Sequence, residues 1–248
     1  MKTTQERLAL LDLDGTLYPG TLGVRLLQEL MDRGVSGPDA LQAIRSAPAD
    51  FQAGHEDFFT RASCFYDLLG KVLQGTTFVQ VEQAASAVWE REHARLFPFV
   101  RPLVTALREA DYQLVLVSGS PVEVVRLVAQ ELGIPLHHAA RSESRHGRYT
   151  GRVLHRTAMP GGKRQVLSTL NADARFDLGA SFALGDAPSD VELFEQVGLA
   201  VAFEPKPTLA LLARERPWRV VDRHDILDVV LPLLTDAPRS VSSDTSPA

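Results

Sequence analysis

From residue 99 to residue 234 the chain repeats one pattern, a short apolar run followed by a stretch with apolar residues at helical spacing. Strands that alternate with helices pair in parallel, because each helix carries the chain back to the start of the next strand. The strand runs are Gln113–Val117, Leu136–Ala140, Ser181–Leu184, Leu199–Phe203 and Trp218–Val221. The helical stretches are 102–110, 122–132, 163–170, 189–196, 206–214 and 224–234, and Arg148–Leu154 has the look of a small hairpin. An earlier apolar run covers residues 8–13. These runs are apolar almost throughout, as strands covered on both faces are. The expected fold class is α/β, a doubly wound parallel sheet.

Between Thr21 and Leu96 the period changes. Leu22, Leu26, Leu27, Leu30 and Met31 repeat at helical spacing, and Gly34 offers a stop. Pro38 and Asp39 open a second helix to about Arg45. Residues 56–74 form a third, with an apolar stripe that includes Phe58, Phe59 and Phe65, and residues 77–95 form a fourth. No strand is read in this interval. The expected organisation is a core of residues 1–19 and 97–235, an inserted all-helical cap over 20–96, and a disordered tail from 236 to 248.

Composition narrows the function. The chain has 248 residues, 45% of them hydrophobic and 23% charged, and a net charge of −5. That balance gives no footprint for nucleic acid. No apolar stretch approaches the roughly 20 residues of a membrane helix, and the polar start, Met1–Arg7, carries no signal-peptide core. A single cysteine, Cys64, excludes an internal disulfide and reads as a small apolar residue. A cytoplasmic protein without nucleic-acid or membrane partners is expected. The histidines show no pair at metal spacing with a carboxylate partner and read as surface or structural.

Chemistry gathers at the ends of the apolar runs. The first stops at Asp12 and Asp14, two acids that lean to one side of a strand end and repel unless a cation or proton lies between them. Ser118-Gly119-Ser120 follows the second run, Gly162-Lys163 opens a helix, and Gly185-Asp186-Ala-Pro-Ser-Asp190 follows a later run. In doubly wound sheets such tips converge at a topological switch point. Carboxylate oxygens suit Mg²⁺. The ammonium, hydroxyl and helix N–H groups suit a phosphate dianion. A magnesium-dependent site for a small phosphorylated metabolite is expected.

In order and in kind, these four motifs resemble the haloacid-dehalogenase superfamily in its phosphatase branch, and the helical insert resembles that family's type I cap. The helix-rich cap and the Gly-Arg-Val hairpin ahead of the lysine resemble the phosphoserine-phosphatase-like group. The resemblance implies a phosphomonoester hydrolase working through an aspartyl phosphate. It implies Asp12 as nucleophile and Asp14 as general acid and base. Mg²⁺ would be held by the Asp12 carboxylate, the Asp14 backbone carbonyl and Asp186, with Asp190 a further ligand or its support. Ser118, the Gly119 N–H and Lys163 would bind the phosphoryl oxygens.

The resemblance thins in the insert. Phosphoserine phosphatases carry a glutamate soon after the first motif, to hold the substrate ammonium. Here that stretch is Tyr18-Pro19-Gly20-Thr21-Leu22, and the next acid is Glu29. Arg61 stands in a plausible region for their carboxylate-binding arginine, in loosely matching surroundings, and Ser189 replaces the asparagine of their last motif. The expected substrate is therefore a small phosphomonoester other than phosphoserine. Alternatives on the same fold are a phosphotransferase, a dehalogenase, which Asp14 disfavours, and a non-enzymatic phosphate-binding regulator.

Overall fold

Alternate burial decides the architecture. In the computed structural model, which describes residues 5–40, 42, 57–172 and 174–235, seven strands form one sheet in the order β4-β3-β2-β1-β5-β6-β7. They are β1 (Arg7–Leu11), β2 (Tyr112–Pro121), β3 (Leu136–Arg145), β4 (Arg148–His155), β5 (Phe182–Gly185), β6 (Leu199–Phe203) and β7 (Arg219–Val221). Every pairing is parallel except β3 with β4. Side chains along a strand point to opposite faces, and the two faces feed two cores. Ala9, Leu11, Leu114, Leu116, Phe182, Leu184, Val201 and Phe203 belong to one. Leu8, Leu10, Val115, Val117, Ala183, Ala200 and Ala202 belong to the other.

Helices cover both faces. The first is α1 (Leu22–Asp32), followed by α2 (Phe58–Leu73) and α3 (Phe78–Glu92). These three lie between β1 and β2, and the described residues there form no strand. After them come α4 (Val100–Glu109), α5 (Val122–Glu131), α6 (Gly162–Leu170), α7 (Val191–Phe194), α8 (Pro207–Ala213) and α9 (Ile226–Thr235). Buried residues of α1–α5 and α9 join the first core, so the helical insert and one face of the sheet share a continuous apolar cluster. Leu167 of α6, Leu193 and Phe194 of α7, and Leu209 of α8 fill the second.

The ends of the insert are tied. The Phe97 N–H donates to the Leu17 carbonyl at 3.0 Å, so the two connections run side by side. α2 starts at Asp57, whose carboxylate accepts from the Phe59 N–H. α3 starts with a capping box between Thr77 and Gln80. On the far side the insert meets the β3–β4 hairpin. Gly75 N–H donates to the Tyr149 carbonyl, Tyr149 N–H to the Thr76 carbonyl, and Phe78 N–H to the Gly147 carbonyl, at 2.8, 2.9 and 3.1 Å. A Cβ on Gly70 of α2 would stand 2.3 Å from the Gly151 carbonyl oxygen, so glycine is required for that contact.

Several boundaries move from their sequence readings. β3 runs to Arg145 rather than Ala140, because β4 pairs with its polar half. β2 extends through Ser118-Gly119-Ser120 to Pro121. The helix expected over 189–196 is a 3₁₀ turn, Pro188–Asp190, and the single turn of α7. Half of the helix expected from Pro38 to Arg45, and all of the tail from Asp236, fall outside the described residues. No helix among the described residues is long and apolar enough to cross a membrane.

Candidate active site

β1 is the switch strand, flanked by β2 on one side and β5 on the other, and ligands gather beyond the carboxyl end of such a strand. Asp12 follows β1 directly, with its N–H on the Leu184 carbonyl at 2.9 Å. Gly15 turns the chain at φ +92°. A Cβ there would lie 2.2 Å from an Asp186 carboxylate oxygen, so the bare backbone lets the two strand tips meet. Gly185 does the same for Asp190.

Three aspartates converge. Asp12, Asp186 and Asp190 are buried, and each offers a carboxylate oxygen within 4.8 Å of the others. Lys163, 1% exposed in the first turn of α6, donates to Asp12 Oδ1 at 2.6 Å and to Asp190 Oδ1 at 2.5 Å. Burial works against the charge on Lys163, but the two carboxylates outweigh it and hold its proton far above the usual lysine range. Thr16 Oγ1 donates to Asp12 Oδ2 at 2.9 Å. Asp190 Oδ2 accepts the Asp186 and Ala187 N–H groups, at 3.1 and 2.9 Å. Both Asp190 oxygens are thus engaged within the protein, while Asp12 and Asp186 line a cavity of 350 Å³.

Asp14 does a different job. Its Oδ1 accepts the Leu22 N–H at 2.7 Å and its Oδ2 accepts the Ser118 hydroxyl at 2.8 Å. The Gly23 N–H goes to Ser120 Oγ at 2.7 Å. The first turn of α1 is therefore satisfied from the sheet side, where Thr21 makes no side-chain cap. Burial raises the Asp14 carboxyl above the usual range; the Ser120 hydroxyl opposes this and the Asp12 charge adds to it. Asp186 is likewise raised, chiefly by burial, against the pull of Lys206. The arrangement sets a carboxylate paired with a lysine, Asp12, beside one whose proton is favoured by burial, Asp14. Paired acids with divergent environments are what acid–base chemistry requires.

The sequence-selected residues therefore fall into three positions. Asp12, Asp14, Gly119, Lys163 and Asp186 line the cavity. Asp190 lies behind it, against Lys163. Ser118 is fully buried and turns its hydroxyl to Asp14. Lys206 was not singled out by sequence reasoning. It follows β6, its N–H donates to the Asp186 carbonyl at 2.8 Å, and its ammonium pairs with the Asp186 carboxylate. Its flanking prolines, 205 and 207, at the end of a strand run were the available signal. Tyr66 of α2 was missed as well. Its oxygen accepts the Ala158 N–H at 2.8 Å and donates to the Gly119 carbonyl at 3.2 Å. Arg61 also lines the cavity. A larger cavity of 690 Å³ lies beside β3 and β4, with His137, His138 and His155 on its walls and no carboxylate among its lining residues.

The model of the haloacid dehalogenase-like hydrolases matches residues 9–195, which include all four motifs. The chain belongs to this family. Among relatives, it is 34% identical over 144 residues to a phosphoserine phosphatase of Streptomyces coelicolor, a match covering 58% of this chain and 34% of that one. It is 26% identical over 216 residues to the phosphoserine phosphatase SerB1 of Mycobacterium tuberculosis, covering 86% and 70%. The chain thus spans about a third of the length of the Streptomyces relative. A Bordetella pertussis protein of unknown function superposes with a TM-score of 0.70 at 25% identity, covering 89% of this chain and all of that one. A phosphoserine phosphatase solved as a phospho-aspartyl intermediate analogue gives 0.63 at 21% identity, covering 91% and 99%, a likeness of fold. The α/β class read from strand–helix alternation is that of this hydrolase family.

Proposed function

We propose that the protein is a Mg²⁺-dependent phosphatase that hydrolyses a small phosphomonoester through an aspartyl phosphate. The observation that carries this reading is the buried set Asp12, Asp186 and Asp190 with Lys163 between Asp12 and Asp190. Four aspartates and two lysines, 163 and 206, leave two negative charges uncompensated when all are ionised, and one when Asp14 carries the proton it is to donate. A divalent cation balances them, and hard carboxylate oxygens are its preferred donors. Asp12 and Asp186 line the cavity and would hold the ion, with the Asp14 backbone beside them, while Asp190 fixes Lys163 and the Asp186–Ala187 backbone. When bound, Mg²⁺ supplies charge neutralisation for the approach of a carboxylate to a phosphate dianion.

The residues of the chain do the rest. Thr16 and Lys163 hold the two oxygens of the Asp12 carboxylate and fix its plane. An Asp12 oxygen forms a bond to phosphorus as the ester P–O bond breaks, and Asp14 gives its proton to the departing alkoxide. Asp14 then takes a proton from water as that water's oxygen bonds to phosphorus and the Asp12–O–P linkage breaks. Lys163 and Gly119 face the transferring group, and such fixed positive groups carry most of the stabilisation in phosphoryl transfer. Residues 20–96 act as the lid over this site in our reading.

The test is hydrolysis of an aryl phosphate with and without Mg²⁺, by the wild-type protein and Asp12→Asn. We expect turnover that requires the metal and falls to background in the variant. Turnover that survives either change refutes the mechanism.

A further inference from the structure

The wall that faces the aspartates is apolar. Thr21 and Val24 from the start of α1, and Phe58, Ala62 and Phe65 from α2, line the same cavity as Asp12 and Asp14. Phe58, Ala62 and Phe65 share one helical face at i, i+4 and i+7. Further along α2 the same stripe continues as Leu69 and Val72, which are buried in the core, so the helix changes from core to cavity wall toward its N-terminus, with Phe65 touching both. Phe58 and Phe65 are only half-buried, and Val24 is 47% exposed. The Phe65 ring is nevertheless held in place. Its tip fits where Gly23 has no side chain, since a Cβ there would come within 2.6 Å of Phe65 Cζ, and it meets Tyr66 edge-on at 5.4 Å.

The acidic groups around the cavity have assigned partners. Asp12 is on Lys163, Asp14 on Leu22 N–H and Ser118, and Asp186 on Lys206. Among the described residues, the α1 and α2 half of the cavity contributes Arg61 and no acidic side chain. An ammonium group on the substrate would find no acidic partner there and would meet Arg61 and Lys206, whose ammonium already faces the Phe58 ring at 6.0 Å. A ring or branched chain would gain from contact with the phenylalanines and Val24.

Building on the phosphatase reading, we propose that the alcohol esterified to phosphate is apolar, an aryl or branched-alkyl group, rather than an amino acid. Phe65 and Val24 are the specificity-determining residues. The relatives named for phosphoserine differ from this chain in the substituent they take while sharing its reaction.

The experiment compares benzyl phosphate with O-phospho-L-serine, both esters of alkyl alcohols, under saturating Mg²⁺. We expect kcat/KM for benzyl phosphate to exceed that for phosphoserine about tenfold or more, the range that apolar contacts supply. Phe65→Ala is expected to cut that ratio about tenfold, mainly through KM for the benzyl ester. Val24→Ala, a milder change at an exposed position, shifts the ratio the same way. Inhibition by inorganic phosphate persists in both variants and reports an intact site. Equal or better turnover of phosphoserine by the wild type overturns the inference, as does an unchanged ratio in both variants. Turnover of neither ester alongside Mg²⁺-dependent hydrolysis of an aryl phosphate overturns the inference alone, and absence of that hydrolysis as well overturns the phosphatase reading.

Discussion

Tyr66→Phe removes one oxygen and leaves the ring. That oxygen joins three segments: helix α2, the Ser118–Ser120 tip of β2, and the loop that leads to Lys163. Burial holds the phenolic proton on up to about 12, so the hydroxyl donates to the Gly119 carbonyl throughout the working pH range. Each bond contributes about 1 kcal/mol net, and a buried N–H left without an acceptor costs about 1–3 kcal/mol. The Ala158 N–H is the group left so. We expect a loss of about 2–3 kcal/mol. For a chain of this size that lowers Tm by roughly 4–10 °C. The same change frees the Gly119 carbonyl and the approach to Lys163, so kcat is expected to fall roughly tenfold. Thermal unfolding followed by circular dichroism measures the first, and steady-state hydrolysis of an aryl phosphate measures the second. A Tm within 1 °C of wild type would show that the hydroxyl bonds carry no net free energy. An unchanged kcat would show that the Gly119 and Ala158 backbone needs no support from the insert.

Asp14→Asn keeps an acceptor for Ser118 but has no proton to give or take as an acid; turnover is expected to fall ~10²–10⁴-fold, the usual worth of a positioned acid or base. Inhibition by inorganic phosphate is expected to survive, and turnover near wild type rules out the acid–base role. Glu123 gives a pH prediction. Its carboxyl is 4% exposed and accepts the Tyr149 hydroxyl at 2.6 Å. Burial raises it above its unfolded value; the Tyr149 bond opposes this, the Glu82 charge adds to it and Arg126 lowers it. A raised carboxyl favours folding below its unfolded pKa, and that contribution is lost as pH rises through the folded value. Glu123→Gln keeps an acceptor without the charge, so its Tm relative to wild type is expected to be higher at pH 8 than at pH 5. The opposite order in paired melts rejects this account.

The sheet was legible because its strands are buried on both faces. Leu8–Leu11 and Leu114–Val117 are apolar without interruption, and each ends where a carboxylate or hydroxyl begins. The second half of β3 was illegible for the opposite reason. Its Ser, Glu and Arg residues pair only with β4, on the outer edge of the sheet, where no core imposes a pattern. Asp12, Asp14, Lys163, Asp186 and Asp190 stand out in the sequence because each sits at a strand end or helix start, and the fold brings them to one place. Lys206 obeys the same rule but stands outside any familiar motif. Tyr66 is invisible in sequence, since a tyrosine in an apolar stripe reads as packing, and only the fold reveals what its oxygen meets. The same ambiguity covers Phe58 and Phe65: one helical stripe serves as core or as cavity wall, and periodicity is identical in both cases.

The backbone bonds between Gly75–Phe78 and the β3–β4 hairpin bear on how such proteins are recombined. The insert is continuous in sequence, which invites treating residues 20–96 as a module to be exchanged between relatives. Its far end, however, takes up the Tyr149 N–H and carbonyl of β4, and the Gly151 carbonyl leaves room only for glycine at position 70. A chimera that receives a foreign insert alone leaves the outer strand with exposed donors and acceptors and brings a side chain against Gly151. The unit of exchange is the insert together with residues 136–155, two segments separated by α4, β2 and α5. An exchange that preserves the packing of this architecture therefore draws on two places in the chain at once.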